Sequence, residues 1–298
     1  MVEGGSYWHQ QIHNIMPDLE IRSLKLHREG LVNDVLIVNN QWVFRFAKTD
    51  WGKEQMSIEG ELMRYLEPRL PIKIPMPEIL LEDVIVYTFL KGEEFRREIW
   101  KEAGEREQQA YADQLGRFLR ELHGIDTDAL DWDIPPTLAP VTQETWEEIY
   151  DRVVDKVYPF LLPYQVYWVD TLFRTALDTP DFFEFTPALI HGDLALYHIL
   201  YDREEKKING VIDFGVAGLG DPATDLGSLI NCYGESLVGK MTNTYPGMKD
   251  LLPRARFYAQ AIELQWALLG VESGEYYWFT AHIGGARDIQ NPFGYTKS

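Results

Sequence analysis

Two segments near the middle of the chain carry side chains suited to phosphoryl transfer. LIHGDLALYHILYD, residues 189–202, places Asp193 just after an apolar run and His198 five residues later. GVIDFG, residues 210–215, ends another apolar run with Asp213, twenty residues after Asp193. Phosphoryl transfer needs a carboxylate that orients the attacking hydroxyl and accepts its proton, and ligands that hold Mg²⁺ on the nucleotide phosphates. The order and spacing of these three residues predict such a site.

Several other chemistries lack the motifs that they require. The sequence has no GxxxxGK[ST] phosphate-binding loop, no GxSxG nucleophile turn and no HExxH zinc-binding helix. The single cysteine, Cys232, excludes an intrachain disulfide and a metal site built from several thiolates. His9 and His13 are four residues apart without a supporting acidic residue, which favours an ordinary helix face over a metal site.

The charge balance restricts the class of partner. The chain has 298 residues, with 28 Lys and Arg against 47 Asp and Glu, and a formal net charge of −19. This charge repels the phosphates of nucleic acids and anionic lipids, and attracts a cationic small molecule. The N-terminus lacks a signal-peptide pattern, and prolines interrupt the longest apolar stretch, 157–169. We therefore expect a cytoplasmic protein that binds neither nucleic acid nor a membrane. A monomer is the expected oligomeric state.

The first 90 residues read as β-rich with one helix. Asn39 and Asn40 separate two apolar runs and predict a tight hairpin turn. Apolar residues at helical spacing predict a helix over Glu54–Leu66. The predicted strands are Leu19–Leu26, Val35–Asn39, Trp42–Phe46, Glu78–Leu81 and Val84–Tyr87.

Beyond residue 90 the pattern becomes mainly helical. Apolar spacing is clearest over Glu105–His123, and further helices are predicted over Gln143–Leu161 and Gln165–Asp178. Short β segments are then predicted around a charged loop, at Ala188–Ile190, Ile199–Tyr201 and Ile208–Ile212. Three further helices are expected after them.

The segment HGDLALYH, residues 191–198, resembles the catalytic loop of the aminoglycoside phosphotransferases. These are small-molecule kinases with a protein-kinase-like fold. The resemblance extends over nearly the whole chain and is closest to the 2″-O-phosphotransferase branch, and macrolide phosphotransferases are also similar. It implies that Asp193 is the catalytic base and that His191 braces the loop.

The same resemblance implies the metal ligands and a structural signature. His198 stands where most members have Asn, although His also occurs in the 2″ branch and in macrolide phosphotransferases. With Asp213 of IDFG, it is implied to bind Mg²⁺, because a neutral imidazole nitrogen can bind a divalent ion. Asp221 and Asp225 in GDPATD match a family signature, and we interpret them as buried carboxylates that tie the loop backbone together.

In this fold a basic residue on the third strand neutralises the nucleotide phosphates and pairs with a helix glutamate. Arg45 in WVFRF matches that place, where protein kinases and many relatives use Lys. Lys48 is the less favoured alternative because it follows the strand. Glu59 in IEGELMRYL is the expected partner, with Glu61 as the second choice.

Other nucleotide contacts are implied near both ends of the first region. The loop 29–33 matches the position of the phosphate-covering loop, but Gly30 is its only glycine. The backbone of Thr88, Phe89 and Leu90 matches the hinge that would bond the purine. ATP and GTP both remain open as the co-substrate.

The substrate residues follow from the last part of the resemblance. Glu235 is the one clear match to an acidic run of the 2″ branch that binds ammonium groups. Trp278 lies where an aromatic ring packs on the sugar, and a place in the core is an equal alternative. Glu263, Glu272 and Glu275 are further candidates that read more simply as solvated helix charges.

The predicted fold class is α+β, a bilobal protein-kinase-like fold. Residues 1–90 would form a small β-rich, nucleotide-binding lobe, and 91–298 a larger, mainly helical lobe with the catalytic loop and substrate helices. The hinge falls at about 87–91. The expected function is Mg²⁺-dependent phosphorylation of a hydroxyl on an antibiotic, first of all an aminoglycoside. A macrolide kinase, a kinase of a small alcohol, and a nucleotide-binding module without turnover are the alternatives.

Overall fold

The computed structural model describes residues 5–27, 32–130 and 132–283. It is a mixed α+β structure with a β-sheet N-terminal region and a helical C-terminal part, which confirms the predicted fold class. The chain divides into two compact units. The first unit also includes a later segment of the chain, which the prediction of a single boundary near residue 90 did not include. The units are Met1–Gly92 with Asn209–Gly215, and Glu93–Ile208 with Val216–Ser298.

An antiparallel sheet and two helices form the frame of the first unit. Its strands are β1 (Leu24–His27), β2 (Asn33–Val38), β3 (Trp42–Ala47), β4 (Pro77–Leu80) and β5 (Val84–Thr88). They pair in the order β1-β2-β3-β5-β4. The helices are α1 (Gly5–Ile15) and α2 (Asp50–Leu66). One core cluster of this unit is formed by Trp8, Ile12, Leu36, Val38, Phe44, Val84 and Val86.

The turn between β2 and β3 has the predicted hairpin geometry. Asn39 and Asn40 both have positive φ, at 57° and 51°. Consecutive left-handed residues match the twist of antiparallel strands, and asparagine tolerates that conformation better than most residues. Val38 consequently faces Trp42 across the hairpin.

The first strand is shorter than predicted, because a side chain takes over part of its backbone bonding. The Asn39 amide oxygen accepts from the backbone N–H groups of Arg22 at 2.8 Å and Ser23 at 3.0 Å. Its amide nitrogen donates to the Glu20 carbonyl at 2.7 Å. These bonds replace a strand ladder before residue 24, so the predicted strand Leu19–Leu26 is reduced to β1.

The helix α2 begins one turn earlier than the predicted start at Glu54. Thr49 is extended, with φ of −140°, and its hydroxyl accepts from the Gly52 N–H at 3.0 Å. A threonine cap satisfies one of the N–H groups that a helix start leaves unpaired. This earlier start leaves Glu59 near the middle of the helix, on its buried face.

The second unit contains eight helices within its described residues, together with short strands. β6 pairs antiparallel with β8, and β7 with β10. In the part of the chain that the structure describes, no helix is both long and apolar enough to cross a membrane. The helices are α3 (Arg97–Glu102), α4 (Glu105–His123), α5 (Gln143–Lys156), α6 (Pro163–Leu177), α7 (Ala223–Tyr233), α8 (Glu235–Lys240), α9 (Leu252–Ser273) and α10 (Tyr276–Ile283), and the strands are β6 (Glu93–Glu94), β7 (Ala188–Ile190), β8 (Ile199–Asp202) and β10 (Gly218–Gly220). The strand β9 (Lys207–Val211) begins in the second unit and continues into the segment Asn209–Gly215 of the first.

Two helix predictions for the second unit were wrong, each where a proline or a glycine interrupts the helical pattern. The helix predicted to run to Leu161 ends at Lys156, because Pro159 cannot continue the helical hydrogen bonding, and a 3₁₀ turn follows over Tyr158–Phe160. Four helices rather than three follow β10 in the described chain. Gly234 has φ of 86° and separates α7 from α8, since few other residues adopt that conformation without strain.

Candidate active site

In the first unit, β3 and α2 bring Arg45 and Glu59 together in a buried ion pair. Arg45 Nη1 donates to Glu59 Oε1, and the two residues are only 7% and 4% exposed. Burial raises the pKa of Glu59 above its ordinary value, and the charge of Arg45 opposes that rise. Burial alone would lower the pKa of Arg45, but Glu59 and Asp213 raise it instead, so the guanidinium stays protonated.

Asn33, which sequence reasoning missed, holds the other side of the guanidinium. With its amide oriented so that the oxygen faces Arg45, Asn33 Oδ1 accepts from Arg45 Nη2 at 2.8 Å. Asn33 is 8% exposed at the start of β2. A planar guanidinium can serve several acceptors at once, whereas an ammonium group is a single point donor. Arg45 is therefore oriented by two polar side chains of its own unit.

Asp213 lies beside this pair. Arg45 Nη2 is 3.7 Å from Asp213 Oδ1, and the Asp213 side chain is 48% exposed. The segment that carries it is anchored in the same unit, since the Val211 N–H donates to the Lys73 carbonyl at 2.9 Å. Asp213 has a left-handed backbone with φ of 67°, a conformation that Asp adopts more readily than most residues.

The structure separates the favoured basic and acidic residues from their alternatives. Lys48 Nζ is 3.6 Å from Asp34, and Glu61 is 3.6 Å from Arg64 on the same helix. Arg45, Glu59 and Asp213 therefore form one cluster, while the two alternatives pair elsewhere.

The other residues predicted to contact the nucleotide are Gly30 and the hinge residues Thr88, Phe89 and Leu90. Gly30 lies outside the described residues. The Phe89 N–H donates to the Gln41 carbonyl at 2.7 Å, so this group is already bonded within the unit and is not the donor expected for a purine. Thr88 Oγ1 donates to Glu78 at 2.5 Å. The hinge role of the Thr88 and Leu90 backbone remains a prediction.

We expect Arg45→Lys to raise the KM for nucleotide about fivefold, the equivalent of about 1 kcal/mol for one lost hydrogen bond. A single ammonium group cannot contact Glu59 and Asn33 in the arrangement of the guanidinium. Steady-state kinetics with varied nucleotide measures the effect. Asn33→Ala should have a similar effect alone and add little to Arg45→Lys. Full additivity of the two changes would contradict the Asn33–Arg45 contact.

In the second unit, residues 191–198, the segment that resembles a catalytic loop, follow β7. Gly192 has φ of 81°, and a Cβ there would lie 2.9 Å from Thr137 Oγ1 and 3.0 Å from the Val216 carbonyl. Both the conformation and the close approach require glycine. The Asp193 N–H donates to His191 Nδ1 at 3.3 Å, and His191 is fully buried. This contact supports the predicted bracing role of His191.

The fully buried Asp225 ties down the loop, as the sequence predicts. Its two carboxylate oxygens accept from the backbone N–H groups of His191 and Gly192, each at 2.9 Å. Its Oδ2 is also 2.9 Å from His123 Nε2. Burial alone would raise the pKa of Asp225, but the hydrogen bond and charge of His123 outweigh it and hold that pKa below its ordinary value. Asp225 therefore remains a carboxylate that orients the residues before Asp193.

His123 is a positioning residue that sequence reasoning missed. It ends α4, and its Nδ1 is 2.7 Å from the Tyr245 hydroxyl while Nε2 faces Asp225. A histidine in the last helical turn usually reads as a helix-end charge, so its sequence position carries no signal for this contact. The contact joins residues 102 positions apart.

We expect His123→Ala to lower the free energy of unfolding by about 1–3 kcal/mol, because the buried Asp225 loses a hydrogen-bond donor. The kcat should fall while the KM values change little, since the loop loses orientation and not a ligand contact. Urea unfolding and steady-state kinetics measure both effects. Tyr245→Phe removes only the outer bond and should have a smaller effect. An unchanged kcat in a folded His123→Ala protein would contradict the positioning role.

His198 lies on a 3₁₀ turn shortly after Asp193. Its Nδ1 is 2.8 Å from the Asp193 carbonyl oxygen, so Nδ1 carries the proton and a neutral ring has its lone pair on Nε2. By its chemistry that nitrogen suits a divalent ion, and in the first unit the Asp213 carboxylate offers the oxygen that Mg²⁺ prefers. The shared role of the two residues as metal ligands remains a prediction. Within the described residues, no group of three or more His, Cys, Asp or Glu side chains forms a metal site by itself.

The residues predicted to bind the acceptor are already engaged within the second unit. Glu235 forms an ion pair with Arg256 Nε, and its Oε2 accepts from Arg256 Nη2 at 3.5 Å. Trp278 is half-buried and stacks on Trp266, with the ring centroids 5.1 Å apart. Their roles toward a substrate remain predictions.

The other three carboxylates differ from one another. Glu272 pairs with Arg152 and Lys156, whose hydrogen bonds outweigh partial burial and lower the pKa of Glu272 to about 2. Glu275 is exposed, as predicted. Glu263 is 6% exposed on α9, so its interpretation as a solvated charge was wrong.

Comparison with known proteins supports the resemblance read from the sequence. The profile of the phosphotransferase enzyme family APH matches residues 23–258. The GDP and kanamycin complex of APH(2″)-IIIa has a TM-score of 0.81 at 22% identity, over 93% of this chain and 96% of that chain. Macrolide 2′-phosphotransferase MphH from Brachybacterium faecium has a TM-score of 0.66 at 20% identity, over 92% and 96%.

A curated relative matches over a shorter stretch. Viomycin phosphotransferase of Streptomyces vinaceus is 38% identical over 58 residues, which are 19% of this chain and 20% of that protein. The structural likenesses confirm the kinase-like α+β fold, and the profile covers residues 189–202 and 210–215. The chain therefore belongs to the phosphotransferase enzyme family and is a phosphotransferase that acts on a hydroxyl group.

Proposed function

We propose that this phosphotransferase moves the γ-phosphoryl group of ATP or GTP to a hydroxyl group of an antibiotic, with an aminoglycoside as the first candidate acceptor. The observation that carries the proposal is the pair of 2.9 Å bonds from the His191 and Gly192 backbone to Asp225. They restrain the loop just before Asp193. Positioning of this kind is most of what phosphoryl transfer requires from a protein.

Asp193 is the proposed base. The acceptor oxygen forms a bond to the γ-phosphorus, the bond from that phosphorus to the bridging oxygen breaks, and the hydroxyl proton passes to the Asp193 carboxylate. His198 and Asp213 would hold Mg²⁺, which when bound neutralises charge on the phosphate oxygens. Arg45, oriented by Glu59, adds a fixed positive charge for the phosphates. Complexes of APH(2″) enzymes with GDP and with ATP support a purine nucleotide as co-substrate.

Two observations support an aminoglycoside acceptor. The similar APH(2″) structures were obtained with kanamycin and with gentamicin. These molecules carry several ammonium groups, and the net charge of −19 attracts cations. Glu235 and Trp278 are the proposed contacts for an amine and a sugar ring.

A macrolide acceptor is the second candidate, and it has its own support. Glu235 is neutralised by Arg256, which reduces the negative charge available to a polycation. Aromatic side chains on α6 and α10 are strongly exposed, among them Tyr164 at 68%, Tyr167 at 74% and Tyr277 at 73%. A macrolide carries one amine on a large apolar body, which suits such a surface.

A substrate screen tests the proposal. The purified protein is incubated with Mg²⁺, with ATP or GTP, and with kanamycin, gentamicin or erythromycin, and phosphorylated product is measured by mass spectrometry. We expect phosphorylated kanamycin or gentamicin, and no product when Mg²⁺ is chelated. Product from erythromycin alone would select the macrolide reading. No product with any acceptor, together with tight nucleotide binding, would favour a nucleotide-binding module or the kinase of another alcohol.

Removing either charge of the Glu235–Arg256 ion pair should change the KM for kanamycin, in opposite directions. Glu235→Gln should raise the KM for kanamycin about threefold, because it leaves Arg256 as an uncompensated cation. Arg256→Gln should lower that KM by a similar factor, because it releases the carboxylate. Higher ionic strength should weaken both effects. Exposed charges interact over a Debye length of ~10 Å at 0.1 M salt, and this length becomes shorter as more salt is added. KM values at low and high salt measure this, and equal responses in both variants would exclude Glu235 as an amine contact.

A further inference from the structure

A buried carboxylate on α9 is bonded on both of its oxygens by side chains of the second unit. Glu263 Oε1 accepts from Asn231 Nδ2 at 2.5 Å, and Oε2 is 2.9 Å from His282 Nδ1. Asn231 lies in the last turn of α7, and its amide also donates to the Ala259 carbonyl at 2.9 Å. The negative charge at this place is thus carried by Glu263 on the neighbouring helix.

The partner of Glu263 is packed among aromatic rings. The His282 ring stacks with Trp266 at 5.7 Å between centroids and 17° between planes, and with Trp278 at 6.3 Å and 25°. The His282 side chain keeps 19% of its surface exposed, while that of Glu263 keeps 8%. We call Glu263, Trp266, Trp278 and His282 the α10 cluster.

The α10 cluster has the chemistry of an amine-binding site. A carboxylate attracts an ammonium group through charge-assisted hydrogen bonding, and an indole face attracts one through cation–π interaction. In this chain the place of the ammonium group is taken by His282, whose nitrogen points at the carboxylate and whose ring lies along the indoles.

We infer that His282 is an internal occupant of an amine-binding position, and that an acceptor amine contacts Glu263 only by displacing it. The inference rests on the proposed function, in which Trp278 contacts the acceptor. His282 then determines specificity, because a substrate amine must exchange with a side chain that is held at high effective concentration. Amines with further contacts to the protein complete the exchange, and those without them are excluded.

Binding of kanamycin without nucleotide tests this directly, since no turnover takes place. We expect His282→Ala to lower the Kd for kanamycin about threefold to tenfold in calorimetry, by removing the competing side chain. In a Glu263→Gln background the same change should have no effect, because the carboxylate is gone. His282→Gln, which keeps a donor of similar length, should stay nearer to the wild type. His13→Ala, at an exposed histidine of α1, is the matched control.

Each result decides the inference. An unchanged or higher Kd in His282→Ala, or an equal gain in the Glu263→Gln background, would overturn it. If His282→Ala does not fold, nitrogen NMR of the wild type replaces it: the His282 ring signals must move as kanamycin is added, and static signals at saturation would overturn the inference.

The inference and the proposed function can fail separately. Tighter kanamycin binding by His282→Ala in a protein that phosphorylates no acceptor would refute the proposed function alone. Phosphorylation of kanamycin with an unchanged Kd in His282→Ala would refute the inference alone. No binding to either the wild type or His282→Ala would refute both.

Discussion

Replacing Asp193 with asparagine is expected to lower kcat by about 10²–10⁴-fold, the usual contribution of a general base. The amide keeps the shape of the carboxylate and its place after the anchored residues His191 and Gly192, but it cannot accept the hydroxyl proton. The measurement is kcat with the best acceptor of the screen, at saturating nucleotide and Mg²⁺.

Two controls separate lost chemistry from lost folding in this variant. The affinity for nucleotide and the midpoint of urea unfolding should stay close to those of the wild type, because Asp225 holds the loop through the backbone and not through Asp193. Asp155→Asn, at an exposed aspartate of α5, should leave kcat unchanged. A near-wild-type kcat in Asp193→Asn would show that another group is the base.

Replacing Asp213 with alanine is expected to remove the Mg²⁺-dependent part of nucleotide binding, with a loss of affinity of at least about 100-fold. Changes in groups that only support a metal ligand already cost about 10–100-fold, and Asp213 is the proposed carboxylate ligand itself. Calorimetry of ATP and GTP with and without Mg²⁺ measures the loss. Arg45 keeps Glu59 and Asn33, so the first unit should remain folded.

The backbone at Asp213 calls for a second variant. Alanine tolerates the left-handed conformation at φ of 67° less well than aspartate does, so Asp213→Ala combines a charge effect with a conformational one. Asp213→Asn keeps the conformational tolerance and removes only the charge. We expect both variants to lose the Mg²⁺ effect. If both bind Mg-nucleotide as tightly as the wild type, Asp213 is not a metal ligand.

Some elements of the fold follow directly from local sequence. The helix Glu105–His123 has its predicted bounds, because its apolar residues recur at helical spacing over five turns. The Asn39-Asn40 turn is also as predicted, because two residues that tolerate positive φ decide the hairpin geometry. Residues 191–198 indicate the family by themselves, since the side chains of this loop are close together in the sequence.

Other boundaries depend on single interactions that periodicity does not reveal. The cap from Thr49 moves the start of α2, and the amide of Asn39 shortens β1 by taking its backbone partners. Gly234 creates one helix more than the apolar pattern suggests. In each case a side-chain hydrogen bond or a permissive residue outweighs the average propensity of the neighbouring residues.

The candidate site divides in the same way. Residue types and spacing in the sequence point to Asp193, His198 and Asp213, because phosphoryl transfer uses few side chains and these three follow apolar runs. The family resemblance adds Arg45. Only the tertiary structure shows that Asn33 is a hydrogen-bond partner of Arg45 and that His123 is one of Asp225. Likewise, only the packing of the helices shows that Glu235 contacts Arg256 and that Glu263 contacts His282. The physical reason is that a side chain's type follows from the chain, whereas its partner depends on which distant elements pack together and which charges they bury.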